Sequence, residues 1–409
     1  MVNRRVFLKS GAAAMISLGF APSFLARAAG ASPARKKLLI AIFQRGAVDG
    51  LNMVVPFGES AYYKARPTIA VARPGATGGA LDLDGFFGLH PRLAPLQPLW
   101  ANGSLAVVHA SGSPDPTRSH FDAQDYMESA TPGVKSTRDG WLNRYLQVDA
   151  EGHPLRGVAL TRQMPRALQG AAPALAMGSV SEFDVRGDMA ARQSFESAYG
   201  RSGDALGEAA GEAFDAMREL SAATAGQYRP AAGVTYPRSP FGQALQEIAR
   251  LAKAGVGLEI AFAESDQWDH HANEGGATGQ LANRLGDFGA SLAALVADLG
   301  DRMADTVIIT MSEFGRAVAE NGSRGTDHGH GNAMLLMGGP VRGGSVYGAW
   351  PGLESSERFE GRDLAVTTDF RDVFAEVVTG HLGASAAAAA RIFPGYALDR
   401  AKFRGVIRS

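Results

Sequence analysis

The chain has 409 residues, 45% of them hydrophobic, enough apolar material for one large α/β domain or two smaller ones. Its 40 basic residues nearly cancel its 41 acidic ones, giving a formal net charge of −1, so no global field favours nucleic acid or an anionic membrane. There is no cysteine, which excludes disulfides, thiolate zinc sites, iron–sulfur clusters and cysteine nucleophiles and leaves Asp, Glu and His to hold any metal.

Asn3-Arg4-Arg5-Val6-Phe7-Leu8-Lys9 matches the twin-arginine export pattern. Gly11 to Leu25 is moderately apolar but too short and glycine-rich for a comfortable membrane span, and Ala26-Arg27-Ala28 offers a small-x-small cleavage site. Residues 1–29 are therefore read as a twin-arginine signal peptide handled by that export machinery. The mature chain then begins near Ala29, in the periplasm or outside the cell, with no stable membrane span; the plainer alternative is an uncleaved anchor helix. This route carries folded proteins, which suits a buried metal site.

Lys37 to Phe43 is a short, continuous apolar run followed by Gln44-Arg45-Gly46, the pattern of a strand buried on both faces. Asp49 lies just past its end, where parallel sheets bind ligands; an Asp49-Gly50 turn is the bland alternative. Tyr62-Tyr63 and Phe86-Phe87 read as packing or rim aromatics, and His90-Pro91 opens a short helical pattern through Trp100. Ser104 to Ala110 is a second strand. It leads through Ser113, Thr117 and Arg118 to a helix over Phe121 to Ser129 with Ser119 near its N-cap. A serine there is either a plain cap or a nucleophile whose developing anion the first-turn N–H groups stabilise.

Residues from about Gly152 to Gly255 are the least informative. Short strands are expected at Val158-Ala159-Leu160 and Ala174 to Met177, and amphipathic helices over Met189–Tyr199, Leu206–Gln227 and Pro240–Ala254, a helical insertion at about 180–255. Strand patterning resumes at Gly257–Phe262 and leads to Asp269-His270-His271, where Asp269 and His271, two apart on extended chain, face one side. Leu281 to Leu299 is a long core helix. Thr306 to Met311 is the best strand in the chain, and Ser312-Glu313-Phe314-Gly315-Arg316 follows it; a Glu so placed must be metal-bound or paired, Arg316 being the nearest partner. Thr326-Asp327-His328-Gly329-His330-Gly331 packs one carboxylate and two imidazoles into six residues before a further strand, Asn332 to Met337. Asp369 to Val373 opens a late helix, and Ala386 to Ala390 is a helical patch without chemistry.

The ordered motifs at Arg45–Asn52, Ser119-His120-Phe121, Trp268–His271, Ser312–Arg316 and Asp327-His328 resemble the exported bacterial family known as domain of unknown function 1501, from about Lys37 to Pro394. That family is similar to the alkaline phosphatase and sulfatase superfamily. The resemblance implies an α/β fold with a doubly wound, mostly parallel sheet flanked by helices, formed by residues 37–409, and a bimetal site at strand ends. The chain departs from the superfamily in two places. Ser312-Glu313 stands where an Asp-His pair is usual, and Pro114-Asp115-Pro116-Thr117-Arg118 puts proline where a sulfatase nucleophile belongs, which argues against an ordinary formylglycine sulfatase.

The expectation is a metal-dependent hydrolase of phosphate or sulfate esters. Asp49, Asp269, His271, Glu313, Asp327, His328 and His330 are expected to hold one or two divalent ions, zinc or manganese ahead of calcium or magnesium. Ser119 is the nucleophile candidate, ahead of Ser113 and Thr117, with His120 beside it, and Arg45 or Arg118 is expected to grip the anionic group of a small ester or of a sulfated or phosphorylated glycan. The rival expectation is a non-catalytic envelope binding or assembly protein with a structural or vestigial metal site.

Overall fold

The structure, a computed structural model, describes residues 36–148, 153–180, 218–224 and 227–408, with short pieces at 15–16 and 216. The export motif, the cleavage site and the expected helix over Met189–Tyr199 lie outside the described residues, as does most of Leu206–Gln227. No helix among the described residues is long and apolar enough to cross a membrane.

In chain order the elements that build and cover the sheet are β1 (Leu38–Gln44), β2 (Leu105–Gly112), α1 (His120–Ser129), α2 (Trp141–Leu146), β3 (Gly157–Ala159), β4 (Leu175–Ala176) and α3 (Pro240–Ala254). They continue with β5 (Ile260–Ser265), α4 (Gln280–Leu299), β6 (Thr306–Met311), β7 (Asn332–Met337), β8 (Val346–Tyr347), β9 (Thr368–Asp369) and α5 (Phe370–Glu376). Across the sheet the strands run β4-β3-β5-β1-β6-β7-β2-β8, with β9 also against β2. Among these strands, β7 alone runs against the others. The fold is thus a mixed, mostly parallel central sheet flanked by helices.

The apolar run of β1 explains the two-sided cover. Leu38, Ile40 and Ile42 pack into a core shared with α3 and α4, while Leu39, Ala41 and Phe43 enter a second core with α2 and α5. Alternation along a pleated strand sends successive side chains to opposite faces, so a strand apolar at every position needs a layer on each side. Each buried leucine or isoleucine contributes about 1.5–3 kcal/mol. The expected strands appear within a residue or two of their sequence limits, except that Gly257–Phe262 shifts forward to Ile260–Ser265. Gly257 adopts a left-handed φ of 76°, and pairing begins at Glu259, whose N–H donates to Arg156 O at 3.0 Å and whose carbonyl accepts from Leu39 N at 2.8 Å, the regular strand following from Ile260.

The topology gathers five loops at one edge. β5, β1 and β6 are parallel neighbours, so the segments after Ser265, Gln44 and Met311 leave from the same end. Antiparallel β7 begins where β6 ends, and β2 ends beside the start of β7, with Ser111 opposite Asn332. The turns carrying Asp49, Ser119-His120, Asp269–His271, Glu313 and Asp327–His330 therefore meet.

Gly315 locks two of these loops together: its N–H donates to the His330 carbonyl at 2.9 Å, and its own carbonyl accepts from Gly329 N–H at 2.8 Å. A Cβ at Gly315 would lie 1.8 Å from the Gly331 carbonyl oxygen. Gly315→Ala is expected to lower the unfolding free energy in denaturant by roughly 1–3 kcal/mol, the usual cost of forcing extra volume into packed structure.

Candidate metal centre

His120 opens α1, and its two ring nitrogens have separate tasks. Nδ1 lies 2.8 Å from Glu313 Oε1, and Nε2 lies 3.0 Å from His328 Nε2 and 3.6 Å from Asp269 Oδ2. His328 is arranged the same way: Nδ1 is 2.8 Å from the Arg118 carbonyl oxygen, leaving Nε2 to face His120, Asp269 Oδ1 at 3.4 Å and His271 Nε2 at 3.0 Å. His271 places Nε2 2.9 Å from Asp269 Oδ1 and Nδ1 3.3 Å from Asp327 Oδ1.

These contacts determine tautomers. A carbonyl oxygen only accepts, so His328 Nδ1 carries hydrogen and donates to Arg118. Glu313 is ionised, so His120 Nδ1 donates to it. In neutral rings both Nε2 atoms then present lone pairs to each other at 3.0 Å beside a carboxylate, an arrangement that requires positive charge between them. Ligand atoms of His120, Asp269 and His328 all lie within 4.8 Å of one another, the spacing of a metal-holding set. His271 sits on the edge of this group, touching Asp269 and His328.

The residues present fit a divalent transition metal. Two imidazoles and a carboxylate, without thiolate, suit zinc or manganese. Each ring is oriented through its second nitrogen by a carboxylate or a backbone carbonyl, the outer-shell arrangement typical of metal-ligating histidines.

Glu313 belongs to that outer shell. It is fully buried, and its Oε1 accepts from Gly46 N at 2.8 Å, His120 Nδ1 at 2.8 Å and Gln124 Nε2 at 2.9 Å, while Oε2 accepts from Ser312 Oγ at 3.1 Å. Burial alone would raise its pKa, but the hydrogen bonds led by His120 outweigh it and hold the group below the ordinary glutamate value of 4.5. The same bond leads the causes that raise the His120 pKa, whereas burial lowers that of His328. Asp269 is likewise held below its ordinary range: burial opposes this, but the Arg316 hydrogen bond (2.6 Å) and charge prevail.

Several expected ligands stand elsewhere. Asp49 is buried, caps the short helix Gly50–Met53 through Leu51 N, and faces fully buried Arg66, with Nη2 3.1 Å from Oδ1 and a second bond from Nη1 to Oδ2. Its partner is a guanidinium, and it is not in the ligand group. Arg66 helps keep Asp49 ionised against the opposing effect of burial. Glu274, also buried, has its pKa pushed well above the ordinary glutamate value of 4.5 by burial first and by Asp49 second, and its Oε2 accepts from Thr326 Oγ1 at 2.7 Å. His330 is buried and stacked 4.3 Å from the Phe359 ring, its pKa lowered by burial. Asp327 reaches the centre only through His271 and is held ionised chiefly by the Asn321 Nδ2 bond of 3.0 Å.

The catalytic candidates divide in the same way. His120 joins the ligand group. Ser119 is the N-cap residue of α1, exposed, and its hydroxyl makes no capping bond. Ser113 Oγ accepts from Asp115 N at 3.1 Å, and Thr117 Oγ1 from Ser119 N at 3.2 Å. Arg45 is committed to Glu264 at 2.6 Å, Glu128 at 3.0 Å and Gln124 at 3.1 Å, so it supports the Gln124–Glu313–His120 chain and has little capacity left for an anion. Arg118 is committed to Asp363 at 2.9 and 2.6 Å and to Glu360 at 2.7 Å.

Arg316 is the residue whose role the sequence does not display. It is 2% exposed and does not bond to its near neighbour Glu313. It donates to Ala47 O at 2.7 Å, Thr326 O at 3.1 Å, Trp268 O at 3.2 Å, Gly46 O and Asp269 Oδ1. Gln124, four residues after His120 on α1, had a signal in that spacing; Arg66 and Glu274 had none.

Residues 100–377 match the family described as a protein of unknown function (DUF1501). The chain belongs to this family. No curated protein matches it. Among solved structures, it is similar to a protein in the alkaline phosphatase superfamily from Vibrio parahaemolyticus, at 10% identity and a TM-score of 0.37 over 90% of this chain and 72% of that one. It is similar also to the PsFucS1 sulfatase from Pseudoalteromonas sp., at 13% identity and a TM-score of 0.39 over 92% and 74%. At these scores the site in this family member rests on its own geometry.

Two tests follow. Glu313→Gln removes the charge that orients His120 and is expected to weaken metal binding about 10–100-fold, read by competition against a metal indicator. Because the folded pKa of Glu313 is depressed, its stabilisation is complete above pH 4.5 and is lost as pH falls through the lower folded value; the variant should lack this acid-sensitive component. Arg66→Met leaves Asp49 buried without its counter-charge and should lower unfolding free energy by about 3–5 kcal/mol. Metal content of the folded variant should match wild type, and its loss would make Asp49 part of the centre.

Proposed function

We propose that the chain is a metal-dependent hydrolase of phosphate or sulfate esters, exported by the twin-arginine pathway and active in the periplasm or outside the cell. The observation that carries the metal is the environment of His328 Nε2, which lies 3.0 Å from two other imidazole nitrogens, those of His120 and His271. A shared proton serves one such contact; a divalent cation serves several at once. The Arg4-Arg5 motif supports export, and the ordered motifs at strand ends support the reaction class.

His120, Asp269 and His328 would hold the ion, with His271 at its border. When bound, a divalent ion supplies Lewis acidity, polarising an ester oxygen and favouring hydroxide over water near neutral pH. The chain's own contribution is restraint: Glu313, the Arg118 carbonyl and Asp327 fix the rings, and Arg316 fixes the Asp269 carboxylate. Ser119, one residue before His120 and free of a capping bond, is the hydroxyl proposed as nucleophile. A small anionic ester or a sulfated or phosphorylated glycan is the proposed substrate.

One observation favours a second reading, a non-catalytic envelope protein with a structural metal. Both arginines expected to grip an anion, Arg45 and Arg118, are committed to carboxylates.

Elemental mass spectrometry and an aryl phosphate and sulfate screen separate the two. Wild-type protein is expected to hold about one equivalent of zinc or manganese and to turn over one ester class, with His328→Ala losing both metal and turnover. Ser119→Ala should keep the metal and lose turnover. Metal without turnover on either ester class in wild type would favour the structural reading, and a folded, metal-free wild type would remove the centre altogether.

A further inference from the structure

With Arg45 and Arg118 occupied, the anion-holding group must be sought elsewhere around the centre. Arg316 is also excluded, because it is buried and fully committed to four carbonyls and Asp269.

Arg362 differs from these three. Its Nε donates to Asp363 Oδ1 at 2.9 Å and its Nη2 to the carbonyl oxygen of His328, a residue of the ligand group, yet its side chain is 46% exposed. Asp363 is itself fully buried and also held by Arg118, so the anchor of the Arg362 stem is rigid. Its charge is felt at Asp327, which it helps keep ionised, and at Glu360, whose carboxylate is bonded to Arg118. One edge of the guanidinium is thus used to hold it against the main chain of His328, and Nη1 makes no bond among the described residues. Arg45 Nη2 and Arg118 Nη1 are unbonded there too, but each of those arginines binds two carboxylates, whereas Arg362 binds one that it shares with Arg118. A planar cation fixed along one edge and open along the other is pre-organised for a two-oxygen contact with phosphate or sulfate.

We propose that Arg362 is the specificity residue of this centre, binding the tetrahedral oxyanion of a phosphate or sulfate monoester through its open edge. This rests on the hydrolase reading and adds to it the group that recognises the charge.

The test is calorimetric titration of the full mature protein with inorganic phosphate and, separately, with sulfate, on wild type, Arg362→Gln and Arg362→Lys, with metal content and unfolding midpoint measured on each. The expected result is that Arg362→Gln weakens binding of the preferred anion about tenfold or more, the loss of one or two charge-assisted hydrogen bonds. Metal content and midpoint should be unchanged and the lysine variant intermediate; which anion binds wild type distinguishes the two sources. Equal affinity in wild type and Arg362→Gln, or no binding of either anion to metal-loaded wild type, overturns the assignment. A wild type that carries no metal counts against the hydrolase reading, and the same titration on the metal-free protein still decides Arg362: loss of anion binding in the glutamine variant supports it, and unchanged binding overturns it.

Discussion

The buried guanidinium of Arg316 is the constraint on which the edge of the sheet depends. Its donors reach Gly46 and Ala47 after β1, Trp268 and Asp269 after β5, and Thr326 before β7. These segments leave different strands and are joined directly by isolated backbone bonds, Trp268 N to Arg45 O at 3.3 Å and Thr326 N to His270 O at 3.1 Å, instead of by a ladder. Buried carbonyls without donors are costly, so one planar cation that satisfies four of them while pairing with Asp269 holds the loops in a single arrangement. The ligand group inherits its geometry from this, because the carboxylate it needs is the one Arg316 grips.

Around that cation the charges are nested. Glu313, buried at the end of β6, takes three donors from two segments, the loop after β1 and α1, and turns His120. Arg45 and Gln124 brace Glu313 from behind. Asp49 and Arg66 neutralise one another, and burial and the Asp49 charge push the Glu274 pKa beside them well above its ordinary value. Taken alone, each of these groups is expensive to bury; paired, they make removal of either partner more damaging than replacement of both. The carboxylates are therefore divided by role: Asp269 faces the imidazoles, Glu313 and Asp327 orient them, and Asp49 is structural.

Much of this was legible in the sequence. Continuous runs such as the apolar Leu38–Phe43 and the β-branched, almost wholly apolar Thr306–Met311 announce strands buried on both faces, because burial on two sides leaves little room for polar positions. Polar motifs directly after such runs announce a site, because strand ends converge in a parallel sheet. Asp269 and His271 do meet, at 2.9 Å, but around a tight turn closed by His270 N–H on the Trp268 carbonyl and not on the extended chain that their spacing suggested. The direction of β7 was hidden, since the Asn332–Met337 run reads the same whether parallel or antiparallel, yet its reversal is what brings His328 to the end of β6.

The sequence by itself determined which apolar runs are buried, which strands end in chemistry and that any metal must rest on Asp, Glu and His. These follow from local pattern and composition. The tertiary structure decided which acid does what, because that depends on distances between groups far apart in the chain: Glu313 meets Gly46 across 267 positions and His120 across 193. No period or motif encodes such separations. They arise only when the sheet sets its strand order and a buried charge takes the one partner within reach.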